Sequence, residues 1–249
     1  SPAVADGKVF IGSYDNRIYA LDQNTGEKIW EYTTGGPIYA SPAVAEGKVL
    51  VGSGDKKFYA LDQNTGEKIW EYFAGRFVIS SPAVADGKVF VGSYDNNRIY
   101  ALNLNTGDKI WEYETDSLVW ASLAAANGKV YFGLLGGKVN AIDQNTGAKI
   151  WEYTTGGAVY SSPAVADGKV FIGSNDKKVY ALDQNTGANL WEYATGSGVR
   201  SSPAVADGRV FFGSNDGKIY SFKTYVTAIP PSNLAATVAC PDVELTWNA

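Results

Sequence analysis

Apolar and polar positions alternate or run together in short stretches of four to eight residues along the chain, and no stretch keeps a helical period. In the second such group the strand-like runs are Ile38 to Ala45, Lys48 to Ser53, Phe58 to Asp62 and Lys68 to Phe73. Turn chemistry separates them. Asp6-Gly7, Glu46-Gly47, Asp86-Gly87, Asn127-Gly128, Asp167-Gly168 and Asp207-Gly208 join a first run to a second, and most are the pair that a two-residue type I′ hairpin requires. Asp22-Gln23-Asn24-Thr25-Gly26 and its copies join a third to a fourth, with side chains able to bond nearby amides and a glycine free to take positive φ.

The pattern repeats. Trp30, Trp70, Trp111, Trp151 and Trp191 recur every 40 or 41 residues, four of them within Ile-Trp-Glu-Tyr and the last within Leu190-Trp191-Glu192-Tyr193. Four strands per unit and no helical segment predict an all-β fold, a β-propeller whose four-stranded blades pack face to face around a central passage. Burial on both faces of a blade explains why Val9-Phe10-Ile11 and Val170-Phe171-Ile172 are apolar throughout. Six units begin, at Ser1, Ser41, Ser81, Ser122, Ser162 and Ser202, and five complete the Trp strand. The expectation is a disc of about six blades with the Trp strands outermost, the last blade incomplete in sequence. The opening Ser1-Pro2-Ala3-Val4 falls in the middle of a repeat rather than at the start of a protein, so any leader is expected to have been removed.

Ser81-Pro82-Ala83-Val84-Ala85, Val91-Gly92-Ser93, Tyr100-Ala101-Leu102, Asn105-Thr106-Gly107 and Trp111 make the unit resemble the pyrroloquinoline-quinone-like (PQQ-like) propeller repeats. The resemblance covers residues 1–224. It implies one of two functional types: a quinoprotein dehydrogenase, or an interaction scaffold like the outer-membrane assembly lipoprotein of bacterial envelopes. The remaining segment, 225–249, reads as a linker and a partial fibronectin type III-like segment, on Pro230-Pro231-Ser232-Asn233-Leu234 and Val243-Glu244-Leu245-Thr246-Trp247. Because a bare strand edge invites pairing, Thr237 to Cys240 or Val243 to Trp247 is expected to add to the last blade, or to the same edge of a second copy.

Composition narrows the chemistry. The chain has no histidine, no methionine and one cysteine, Cys240, which removes Ser-His-Asp and Cys-His devices and the usual zinc sites. A net charge of −5 with scattered Lys and Arg gives no basic stripe for nucleic acid, and no run is apolar enough to span a membrane as a helix. A tryptophan needed in every complete blade serves blade packing, since one quinone would need only one. The Asp22 to Gly26 type of turn lacks the distal ligands of a calcium loop. The family's adjacent cysteine pair and a calcium-binding acidic cluster have no counterpart, so no cofactor is expected.

Where the copies differ is more telling. The Asp-Gly and Asn-Thr-Gly corners open on one face of the disc and scarcely vary. On the other face one position reads Tyr39, Ile79, Trp120, Tyr160 and Arg200, and another reads Pro37, Phe77, Leu118, Ala158 and Gly198. Blade 4 departs furthest, with Leu134-Leu135-Gly136-Gly137 and with Leu123 in place of a proline. Tyr39, Phe77, Ile79, Trp120, Leu134, Leu135, Tyr160 and Arg200 are therefore the candidate partner-binding face, with Leu134 and Leu135 expected as exposed apolar surface. The expected role is a non-enzymatic interaction or structural scaffold of an extracellular, cell-surface or periplasmic protein. Its partner would be a protein or a surface glycan, with self-association through the open blade edge; the alternative is a PQQ-dependent dehydrogenase-type propeller.

Overall fold

The computed structural model describes residues 1–78, 80–94 and 97–224, and the backbone of 244–245. Blade 1 is a meander of β1 (Ala3–Ala5), β2 (Lys8–Gly12), β3 (Arg17–Asp22) and β4 (Lys28–Thr33), paired antiparallel in that order. The pattern recurs to the sixth blade, whose third strand is Ile219–Lys223. First strands of successive blades adjoin, so they surround the passage and the Trp strands lie outermost.

Local chemistry accounts for these elements. At each first hairpin both central residues have positive φ, 47° and 73° at Asp6-Gly7 and 48° and 72° at Glu46-Gly47, which is the type I′ geometry that Asp-Gly favours. At the outer corner the Asp22 carboxylate accepts the N–H groups of Asn24 (2.8 Å) and Thr25 (2.9 Å). First strands are shorter than the sequence predicts, Ala43–Ala45 rather than Ile38 to Ala45. Pro42 lacks a donor for a ladder, and the residues before it cross from one blade to the next, where Ile38 sits on the bare backbone of Gly12.

Five apolar clusters hold the blades together, each built from two neighbours. Between blades 1 and 2, Phe10, Ile18, Ala20 and Trp30 meet Val49, Val51, Tyr59 and Leu61. The tryptophans are the links that the repeat predicts. Trp30 Nε1 donates to the Gln63 carbonyl of the next blade (3.1 Å), and Trp70, Trp111 and Trp151 do the same to Leu104, Gln144 and Gln184. Gln63 reaches back from that corner to the Asp6 carboxylate at 2.8 Å.

The six blades of the expected fold leave two faces uncovered. Among the described residues no cluster joins blade 6 to blade 1, and the faces those blades turn outward are partly bare. Val9 and Ile11 are half-exposed where their equivalents Val49 and Val51 are fully buried, and Val4 is 58% exposed. On blade 6, Ile219 is 46% exposed where Ile18 and Val179 are fully buried. The physical reason is that each blade's core needs a following blade, and blade 6 has none among the described residues. A two-residue strand, Glu244–Leu245, takes the fourth place in blade 6, with Leu245 opposite Ile219 and Glu244 opposite Tyr220. The other residues of 225–249, including the Thr237 to Cys240 alternative and the rest of the fibronectin-like segment, lie outside the described residues. Among the described residues no helix is long and apolar enough to cross a membrane.

Candidate partner-binding face

The segment entering each blade alternates as a strand would. Ile38, Val78, Val119, Val159 and Val199 turn into the blade cores and are 0 to 3% exposed. Their successors therefore turn the other way, out of the cores. Tyr39 is 51% exposed and Trp120 46%; Tyr160 is half-buried and Arg200 exposed. The connection that holds them is tied down by hydroxyls: Thr34 Oγ1 donates to the Gly36 carbonyl (2.7 Å) and Ser53 Oγ to the same oxygen (3.0 Å).

These side chains form a run across neighbouring blades. Tyr94 meets Trp120 edge to face at 5.3 Å, Trp120 meets Tyr160 at 6.2 Å, and the Arg200 guanidinium lies 4.7 Å from the centre of the Tyr160 ring. Arg200 Nε donates to Asn175 Oδ1 at 3.1 Å, which holds the cation over the ring. On the far side Tyr39 packs edge to face with Tyr14 at 5.2 Å, and Tyr14 is itself mostly exposed. Aromatic rings and a guanidinium, ordered by each other and open to solvent, stack on planar or apolar groups at little further entropy cost.

Two candidates stand otherwise. Leu134 is buried, 1% exposed, so it is no part of an exposed surface: it occupies the place of Ser53 in blade 2 and packs with Val119 and Phe132 in the core between blades 3 and 4. Leu135 is half-buried, its N–H bonded to the Leu118 carbonyl at 3.1 Å. Phe77 is 43% exposed, and Ile79 lies outside the described residues. Tyr14, Tyr94 and Asn175, which sequence reasoning passed over, belong to the same surface. All three occupy one repeat position in the turn between second and third strands, and each touches the varied residue of the next blade. The signal was a match of type, Tyr with Tyr, Tyr with Trp and Asn with Arg, at a separation of 25 or 26 residues.

Among the described residues no three acidic or cysteine side chains come close enough to hold a metal ion, and one cysteine cannot make an adjacent pair.

Residues 16–162 and 135–225 match the family described as outer membrane protein assembly factor BamB. No curated protein sequence matches the chain. Among solved structures, BamB from Moraxella catarrhalis superposes with a TM-score of 0.80 at 19% identity, over 90% of this chain and 72% of that one. The computationally designed Ika8 protein gives 0.79 at 20% identity, over 89% and 70%. Quinohemoprotein alcohol dehydrogenase from Comamonas testosteroni gives 0.69 at 19% identity, over 78% of this chain and 42% of that one. At such identities these likenesses speak to the fold alone.

Proposed function

Because this chain belongs to the PQQ-like repeat family described as outer membrane protein assembly factor BamB, we propose that it is a non-enzymatic, protein-binding scaffold of a cell envelope, docking its partner on the varied face of the propeller. The observation that carries this reading is the run Tyr94, Trp120, Tyr160 and Arg200, exposed or half-exposed and ordered by mutual contacts, on the face where the copies differ. Aromatic residues and arginine are the side chains that dominate binding energy at protein interfaces. A surface glycan stacks on the same rings and is the second class of partner the composition admits.

The bare outward faces of blades 1 and 6 add a route to self-association. The apolar side chains there are of the types that pack between blades elsewhere in the molecule, so one copy's blade 6 offers a fit to blade 1 of a second.

Chemical cross-linking in an envelope fraction tests the scaffold role. A specific envelope protein cross-linked by the unaltered chain and lost with Trp120→Ala/Tyr160→Ala supports it, provided that Asn64→Ala/Asn145→Ala on the opposite face retains it. Stoichiometric binding of added quinone and calcium would overturn it in favour of the dehydrogenase type.

A further inference from the structure

Blade 4 lacks a side-chain arrangement that three of its siblings share. In blades 2, 5 and 6 a tyrosine of the third strand donates its hydroxyl to an aspartate of the preceding turn: Tyr59 to Asp55 at 2.5 Å, Tyr180 to Asp176 at 2.6 Å, Tyr220 to Asp216 at 2.7 Å. The same carboxylate oxygen accepts a backbone N–H from the previous blade, from Gly35 (2.8 Å), Gly156 (2.6 Å) or Gly196 (2.8 Å). Each ring also meets a tyrosine of that previous blade, Tyr32 on Tyr59 at 5.9 Å, Tyr153 on Tyr180 and Tyr193 on Tyr220 at 5.6 Å.

Three positions of the turn and third strand change together in blade 4. Leu134 replaces Ser53, Gly136 replaces Asp55 and Asn140 replaces Tyr59. The backbone does not move to compensate: Asn140 faces Glu152 across the ladder as Tyr59 faces Glu71. What results is a cavity of about 200 Å³ between blades 3 and 4, lined among others by Tyr113, Asp116, Leu134, Lys138, Asn140 and Glu152. Tyr113, the counterpart of Tyr32, keeps its place and meets Phe132 at 6.0 Å instead. Asp116 stands at the position of Gly35, so the carboxylate lost from the turn reappears on the opposite wall, paired with Lys138. Asn140 is 2% exposed, and its Nδ2 has no hydrogen-bond partner among the described residues.

We infer that this cavity is a binding site for a phenolic ring, either a tyrosine side chain of a protein or a small para-substituted phenol. The siblings supply the template, because each fills the same space with a phenol carried on its own strand. A ring placed against Tyr113 and Leu134 restores the contact with a phenol that the siblings' tyrosines make at this place. Its oxygen accepts from Asn140 Nδ2, and its O–H donates to a carboxylate of the wall, Asp116 or Glu152. The volume is sufficient, since a cavity of about 150 Å³ accommodates benzene. Burial holds the Tyr113 hydroxyl above its ordinary pKa. The site stands on these residues whichever partner the aromatic face takes.

The test is titration of the full chain with p-cresol and with N-acetyl-tyrosinamide, followed by calorimetry and ligand-observed NMR, with toluene as the ring without a hydroxyl. Saturable one-to-one binding of p-cresol at millimolar concentrations is expected, about tenfold tighter than toluene. Asn140→Tyr, which restores the sibling's own ring, abolishes it. Asn140→Leu keeps the space, removes the donor and weakens p-cresol roughly fivefold. Binding of both phenols assigns the site to a partner's tyrosine, and binding of p-cresol alone assigns it to a free small phenol. Absence of saturable binding, the result for a cavity that holds water only, overturns the inference. So does p-cresol binding that neither Asn140 variant alters.

Discussion

The Trp30 indole of blade 1 covers Gly66 in the outer corner of blade 2, so closely that a Cβ on Gly66 would lie 2.7 Å from the ring atoms Cδ2 and Cε3. Gly107, Gly147 and Gly187 stand in the same relation to Trp70, Trp111 and Trp151. Each tryptophan thus locks its blade to the next through a ring contact and the Nε1 hydrogen bond, and the ring leaves no room for a Cβ at the corner glycine it covers.

Gly66→Ala is therefore expected to destabilise by about 2–4 kcal/mol, combining positive-φ strain with overpacking against Trp30. Gly26→Ala shares the strain, with φ 73°, but has nothing within 4 Å of the added methyl, so its cost is about 1 kcal/mol. Urea unfolding of the two variants measures the difference. Equal losses would mean that the ring contact is not tight.

Glu46 takes φ 48° in a hairpin where its counterparts are Asp or Asn. A glutamate has no short side chain to bond locally in that conformation, and asparagine tolerates it. Glu46→Asn is expected to stabilise by about 0.5–1 kcal/mol, or roughly 2–4 °C in Tm at 1 kcal/mol for a chain of this size. Thermal unfolding by circular dichroism checks it.

Acid should weaken the corners. Backbone N–H groups of Thr25, Thr65, Thr146 and Thr186, with those of Asn24, Asn64, Asn145 and Asn185, hold Asp22, Asp62, Asp143 and Asp183 below the ordinary carboxylate pKa. A folded pKa below the unfolded one gives stability that is complete above the unfolded value, about 3.9, and is lost as pH falls through the folded value. Stability is expected to drop from about pH 4 downward. Blade 3 carries Asn103 at this position, accepting from Asn105 and Thr106 at 2.8 and 3.1 Å, so the fourfold Asp→Asn variant keeps the turns. Its unfolding free energy should fall less between pH 5 and pH 2.5, values chosen to bracket the Asp range of about 3.9.

If the bare faces of blades 1 and 6 meet between copies, as proposed, association rises with protein concentration. Val4→Asp places a charge on the outward face of blade 1 and is expected to shift sedimentation toward monomer without lowering Tm, because Val4 is mostly exposed within one copy. Sedimentation that is unchanged by Val4→Asp counts against that contact.

On the varied face, Trp120→Ala should weaken the partner identified by cross-linking by tenfold or more, at about 1.4 kcal/mol per decade, while Asn64→Ala leaves it unchanged. Near-native Tm in both variants, read beside affinity, separates lost contact from lost fold.

The sequence alone determined the repeat, the strands and the turns, because these depend on local rules: Asp-Gly supplies two residues of positive φ, Asp and Asn bond amides two and three residues on, and a run buried on both faces must be apolar. It also settled the role of the tryptophans, since one per blade is what an inter-blade link requires. Only the tertiary structure decided which side chains share a surface. Leu134, in a glycine-rich turn, reads as exposed; it is buried because the preceding blade and the connection from it cover the place where Ser53 makes hydroxyl bonds in blade 2. Tyr14 meets Tyr39, Asn175 meets Arg200, and Asn140 borders a cavity, through packing between units that no window of one repeat contains. Closure was beyond the sequence for the same reason, since whether blade 6 reaches blade 1 depends on the angle between blades, which is set by the sum of five interfaces and written in none of them.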